Sequence, residues 1–136
     1  MKDVDPFDLP EWLGESEVVW ATAHGVRHGH HVGGALTGAG HDDVPCDLLA
    51  VDDAYPKPVA DDDIRTRAHL AWRHGQILLL ECEDRLTLAV PGTSFTADLC
   101  LDAIGRLAKA VGASGDDYSV QLRIGADRPS WEGSEF

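Results

Sequence analysis

Positive charge is what this sequence has least of. Lysine and arginine together number 11 against 24 aspartates and glutamates, a formal net charge of −13 over 136 residues, and lysine occurs only as Lys2, Lys57 and Lys109. Nucleic-acid binding draws most of its free energy from basic side chains that displace counterions from phosphate, and anionic membranes attract proteins in the same way. The balance argues against DNA, RNA and membrane as partners. No run approaches the roughly 20 apolar residues of a membrane span, and Met1-Lys2-Asp3-Val4-Asp5 lacks the basic and apolar regions of a signal peptide. A cytoplasmic protein, of bacterial type, is the expectation.

Cysteine is nearly as scarce. Cys46, Cys82 and Cys100 are an odd number with no C-x-x-C pair, which excludes a disulfide framework and a zinc ribbon. Catalytic signatures are missing as well. Gly38-Ala39-Gly40 lacks the lysine of a phosphate loop, and Gly92-Thr93-Ser94-Phe95 lacks the second glycine of a nucleophile elbow. Cys82 and Cys100 fall on apolar stripes and read as core, while Asp47 beside Cys46 disfavours a thiolate there. A non-enzymatic protein with no cofactor is the simplest consequence.

What is present suits one ordinary core: 43% of the residues are hydrophobic, and the length is too short for two domains. Residues 1–124 are expected to form a single α+β domain. Within it, residues 1–14 anchor through Phe7, Leu9, Trp12 and Leu13; beyond it, residues 125–136 are expected to form a polar, flexible C-terminal tail. Glu17–Val26 and His30–Thr37 read as a hairpin turning at His28-Gly29, with Ala21 opposite Leu36. That pairing places Val19, Ala21, Val32 and Leu36 on the core side and Trp20, His24 and His31 on the other. Pro45–Val51 is a third strand. Asp61-Asp62-Asp63 suits the positive end of a helix carrying Ile64, Ala68, Ala71 and Trp72 and ending at His74-Gly75. Gln76–Cys82 and Leu86–Val90 form a second hairpin through Glu83-Asp84. Ala97, Cys100, Leu101, Ile104, Leu107, Ala108 and Val111 give the clearest helical stripe, capped by Ser94 or Thr96 and stopped by Gly112. Tyr118–Ile124 alternates as a last strand. The order βββαββαβ predicts a mainly antiparallel sheet of about six strands with two helices packed on one face.

Two groups of residues stand out. Histidines gather in His24, His28, His30 and His31, and imidazole is the commonest ligand of zinc and other transition metals. The spacing matches no established ligand motif, and a solvated hairpin tip is the competing reading. The other group is Trp20 and Trp72 with Arg65, Arg67 and Arg73, an aromatic and cationic surface on an acidic molecule. Such a surface suits a protein partner or self-association.

The element order and the acidic charge resemble those of the type III secretion chaperone-like fold, whose members are acidic dimers that bind other proteins. The resemblance implies a protein-binding accessory module, and the final strand Tyr118–Ile124 departs from it. The alternative is a metal-binding protein that uses the His24–His31 cluster.

Overall fold

The computed structural model describes residues 2–22, 29–53 and 58–122. Strand β1 (Lys2–Asp3) precedes two 3-10 turns, Pro6–Asp8 and Glu11–Gly14. Then come β2 (Val18–Thr22), β3 (His31–Val32), β4 (Gly34–Thr37), β5 (Val44–Ala50), helix α1 (Asp62–Arg73), β6 (Leu78–Cys82), β7 (Arg85–Val90), helix α2 (Ala97–Ala110) and β8 (Tyr118–Gln121). Both helices begin where local chemistry stops the backbone amides from going unpaired. Asp61 accepts from the Ile64 amide at 2.8 Å and Thr96 from the Leu99 amide at 3.1 Å. The β6–β7 hairpin turns on Glu83 and Asp84, with φ of 53° and 64°. Positive φ at both central residues gives a two-residue turn whose twist matches that of the flanking strands.

The strands among the described residues join one sheet of eight, ordered β1-β6-β7-β5-β4-β2-β8, with β3 paired to β5. The sheet is mixed: β5 with β7 and β2 with β8 are parallel, and the remaining pairs are antiparallel. The sheet is mostly antiparallel, as expected, but it has eight strands in place of about six and includes two parallel pairs. Two-residue β1 is too short to carry an alternating pattern, and the strand expected at His30–Thr37 divides at Gly33. Counting β3 and β4 as one strand, the order from β2 onward is βββαββαβ. The parallel pairs follow from connection length, since β5 reaches β6 through α1 and β7 reaches β8 through α2, crossovers long enough to cross the sheet.

Each face has its own apolar cluster. Leu48, Leu79 and Leu88 share one face with Trp20, Leu36 and Val18, and α2 buries Cys100, Ala103, Ile104 and Leu107 against it. Leu49, Leu80 and Ala89 lie on the other face, where α1 applies Ile64 and Ala68. The helices therefore cover opposite faces, not one. Opposite coverage explains why β5 and β7 are apolar at consecutive positions, as strands buried on both sides must be.

The first hairpin is displaced by one residue from the expected pairing. Trp20 stands opposite Leu36 and Val19 opposite Thr37. A shift of one exchanges the two faces of a strand, so Val18, Trp20 and Thr22 are buried while Val19 and Ala21 are half-exposed. The assumed turn rested on His28, which lies outside the described residues. No helix among the described residues is long and apolar enough to cross a membrane.

Candidate functional site

Pairing between the β3–β4 strand and β5 pauses at Gly33 and Gly34, and the groups released there are taken up by three side chains. Trp20, fully buried, lies across Gly34, where a Cβ would come within 2.6 Å of the indole ring. Because glycine leaves that space, the indole crosses β4 and its Nε1 donates to the Cys46 carbonyl of β5 at 2.9 Å. On the opposite face, Asp47 Oδ1 accepts from the Gly34 amide at 3.2 Å, and Arg85 Nη2 donates to the Gly34 carbonyl at 3.1 Å. Buried polar backbone groups must be paired, and here side chains do the pairing.

Asp47 is the centre of this network. Its carboxylate receives Arg85 Nε at 2.9 Å and Nη2 at 2.8 Å, and His31 Nε2 lies 3.1 Å from Oδ2. Burial by itself raises the pKa of this carboxyl. The hydrogen bonds from Arg85, the Gly34 amide and His31 outweigh burial and hold it below the ordinary 3.8. Its oxygens are occupied by partners of its own chain, so the group suits holding three strands together more than attacking a substrate. The sequence carried a signal for it: Asp47 is the one charge within the otherwise apolar Pro45–Val51, and a buried acid demands a cationic partner.

The expected aromatic and cationic surface is dispersed. Trp20 belongs to the core and offers no contact area. Trp72 is half-buried beneath Arg106, whose guanidinium carbon sits 3.4 Å from the ring centroid. Arg106 also donates to the carbonyls of Trp72 at 2.7 Å and Gln76 at 3.0 Å, closing the end of α1. Arg65 is engaged by Asp53 and Asp62, and Arg67 by Asp63 at 3.1 Å and Asp3 at 2.6 Å. These acids neutralise most of the strip, and the exposed remainder is Arg73 with Leu70, which is 47% exposed. The strip looked cationic because the acids that face it come from distant positions such as Asp3 and Asp53.

Of the four clustered histidines, His24 and His28 lie outside the described residues. His31 is tied to Asp47. The Nε2 of His30 is buried without a hydrogen-bond partner among the described residues. Among those residues no group of three or more histidine, cysteine or acidic side chains is placed to hold a metal ion. His41 stacks on Trp12 with ring centroids 4.6 Å apart and planes within 4°. Burial pushes the Cys100 thiol up to about 11, and burial followed by the neighbouring Asp47 charge pushes Cys46 up further. Neither thiol is activated for nucleophilic attack.

The remaining distinctive surface lies at the N-terminal segment. Leu13 is buried and Leu9 and Trp12 pack against the main core, as expected of an anchoring segment, but Phe7 is 94% exposed. Asp5 fixes the turn that carries it by accepting from the Phe7 amide at 3.0 Å. Beside Phe7 is an open concavity of about 400 Å³ lined by Pro6, Leu9, Pro10, Glu11, Glu15 and Val111. A second, of about 380 Å³, lies on the other side of Leu9. The expectation that Phe7 anchors the segment to the body is corrected: on the turn between Pro6 and Pro10, Leu9 faces inward and Phe7 outward.

Comparison with protein-family models, with curated proteins and with solved structures finds no match for this chain.

Proposed function

We propose that this chain is a non-enzymatic, cytoplasmic protein-binding module that docks a protein partner through its N-terminal surface, with Phe7 as the anchor. The observation that supports this reading is the 94% exposure of Phe7 on a turn otherwise packed to the core. A large aromatic held in water by a fixed backbone gives up apolar stabilisation, while it spares a partner the cost of ordering the side chain. Aromatic anchors of this kind dominate binding energy in many interfaces. The test compares the wild-type chain with Phe7→Ser as affinity baits, identifies by mass spectrometry any protein retained only by the wild type, and measures binding with that protein purified. The variant is expected to keep the wild-type melting temperature and to lose about tenfold or more in affinity. Capture of an identical set of proteins with equal affinities overturns the proposal.

A second reading, a transition-metal site at the His24–His31 cluster, is favoured by the buried Nε2 of His30, which has no partner among the described residues. An imidazole nitrogen with no partner is available to a cation. Elemental analysis of the untagged protein tests it, and less than about a tenth of an equivalent of zinc, nickel or copper sinks it.

A further inference from the structure

We infer that the N-terminal surface on either side of Leu9 binds a cationic, amphipathic segment of a protein partner. This deepens the proposed function and rests on it. Two concavities share Leu9. One carries Phe7, Pro10 and Val111 with Glu11 and Glu15 at its margin, and the other carries Val4, Val44 and Leu86 with Asp8 and Asp84. Apolar ground is thus flanked by carboxylates along its whole length. Charges of the opposite sign are already committed. Lys2, the single cation lining the two, stands 3.8 Å from Glu81, and Arg67 satisfies Asp3. Asp8, Glu11, Glu15 and Asp84 are exposed and have no ion-pair partner among the described residues.

The charge selects the occupant. A second copy of this chain would bring another −13 and the same carboxylates against these, and like charges across an interface cost free energy. An acidic or nucleic-acid partner meets the same repulsion. A segment that alternates lysine or arginine with large apolar residues fits instead: its apolar face covers Phe7, Leu9 and Val111 while its charges meet the margin. Steering by the acidic field also speeds the encounter.

The experiment uses the full chain and a synthetic helical peptide of about 18 leucines and lysines, patterned with the 3.6-residue period. An analogue with glutamate for lysine serves as the charge control. Binding is measured by calorimetry at about 0.15 M salt, where the Debye length is about 8 Å. The lysine peptide is expected to bind and the glutamate analogue not to. Phe7→Ser is expected to weaken binding about tenfold and Glu15→Lys about fivefold. Asp98→Lys, at the far end of α2 and about 20 Å along the helix from Val111, is expected to change it less than about twofold. If Glu15→Lys and Asp98→Lys weaken binding equally while Phe7→Ser is effective, charge acts only through the field of the whole chain and not at this margin; this inference falls and the protein-binding reading stands. If Phe7→Ser has no effect, both fall.

Discussion

The guanidinium of Arg85 on β7 grips the carboxylate of Asp47 on β5 through two parallel hydrogen bonds, Nε to Oδ2 at 2.9 Å and Nη2 to Oδ1 at 2.8 Å. The pair is asymmetric in burial, with the Asp47 side chain 7% exposed and that of Arg85 39%. Removing the arginine leaves a buried carboxylate whose remaining side-chain partner is the His31 imidazole, and breaking such a pair is costly. Arg85→Met is expected to lower stability by about 2–3 kcal/mol, below the range for a fully buried pair because water screens the exposed arginine. Urea denaturation measures this; a loss under about 0.5 kcal/mol would show that the pair contributes little.

The same carboxylate sets an acid limit. Its folded-state pKa is depressed from 3.8, with the Arg85, Gly34 and His31 hydrogen bonds overcoming the opposing effect of burial. A depressed carboxyl contributes stability that is complete above its unfolded value and disappears as the pH falls through its folded value. The urea midpoint of the wild type is therefore expected to drop more steeply than that of Asp47→Asn as pH is lowered below about 4. Parallel profiles for the two proteins between neutral pH and that region, continuing downward, would refute the assignment.

Two glycines give opposite expectations. At Gly34 a methyl group would lie 2.6 Å from the Trp20 ring and 2.7 Å from the Ala21 carbonyl. Gly34→Ala is expected to cost about 1–3 kcal/mol or more, since overpacking displaces the indole from the Cys46 carbonyl. At Gly105, within α2, an added methyl meets nothing within 4 Å. Gly105→Ala is expected to add about 0.5–1 kcal/mol through helix propensity. Thermal unfolding followed by tryptophan fluorescence distinguishes them, and the same sign of change in both variants contradicts the packing account.

Arg106 joins α2 to the end of α1 through the Trp72 ring and two carbonyls. Arg106→Ala is expected to destabilise by about 1–3 kcal/mol, because hydrogen bonds to a charged group and the ring contact are lost together. Hydrogen exchange should then quicken first in the last turn of α1. Uniform acceleration across the sheet, or none, would rule out a local clamp.

Thiol reactivity follows burial. Cys46 and Cys100 are fully buried and their pKa values are raised, whereas Cys82 is partly exposed. In the native protein near pH 8 an aromatic disulfide reagent is expected to modify Cys82 first, and the other two only in urea. Rapid modification of Cys46 in the native state would contradict the packing of Trp20 over β4 and β5.

Local pattern and tertiary context divided the information unevenly. The α2 stripe, its start near Ser94 or Thr96, the acidic start of α1 at Asp61-Asp62-Asp63 and the Glu83-Asp84 turn were legible because each depends on residues within a few positions of one another. The face of β2 was not. Val18–Thr22 is apolar or small at every position, so the sequence offers two registers of similar pattern, and the packing of one indole over one glycine selects between them. The Arg65 and Arg67 charges misled for a related reason. Their strength as a surface depends on Asp53 and Asp3, brought near only by folding.

By itself the sequence determined the acidic charge, the α+β class, the order of elements from β2 onward and the ends of both helices. These follow from composition and from short-range hydrogen bonding and periodicity. Only the tertiary structure decided that the sheet is mixed, that the helices lie on opposite faces, that Trp20 is core and Asp47 is held by Arg85, and that Phe7 faces water. Those outcomes depend on which distant segments exclude water from one another, and such contacts leave no period in the chain.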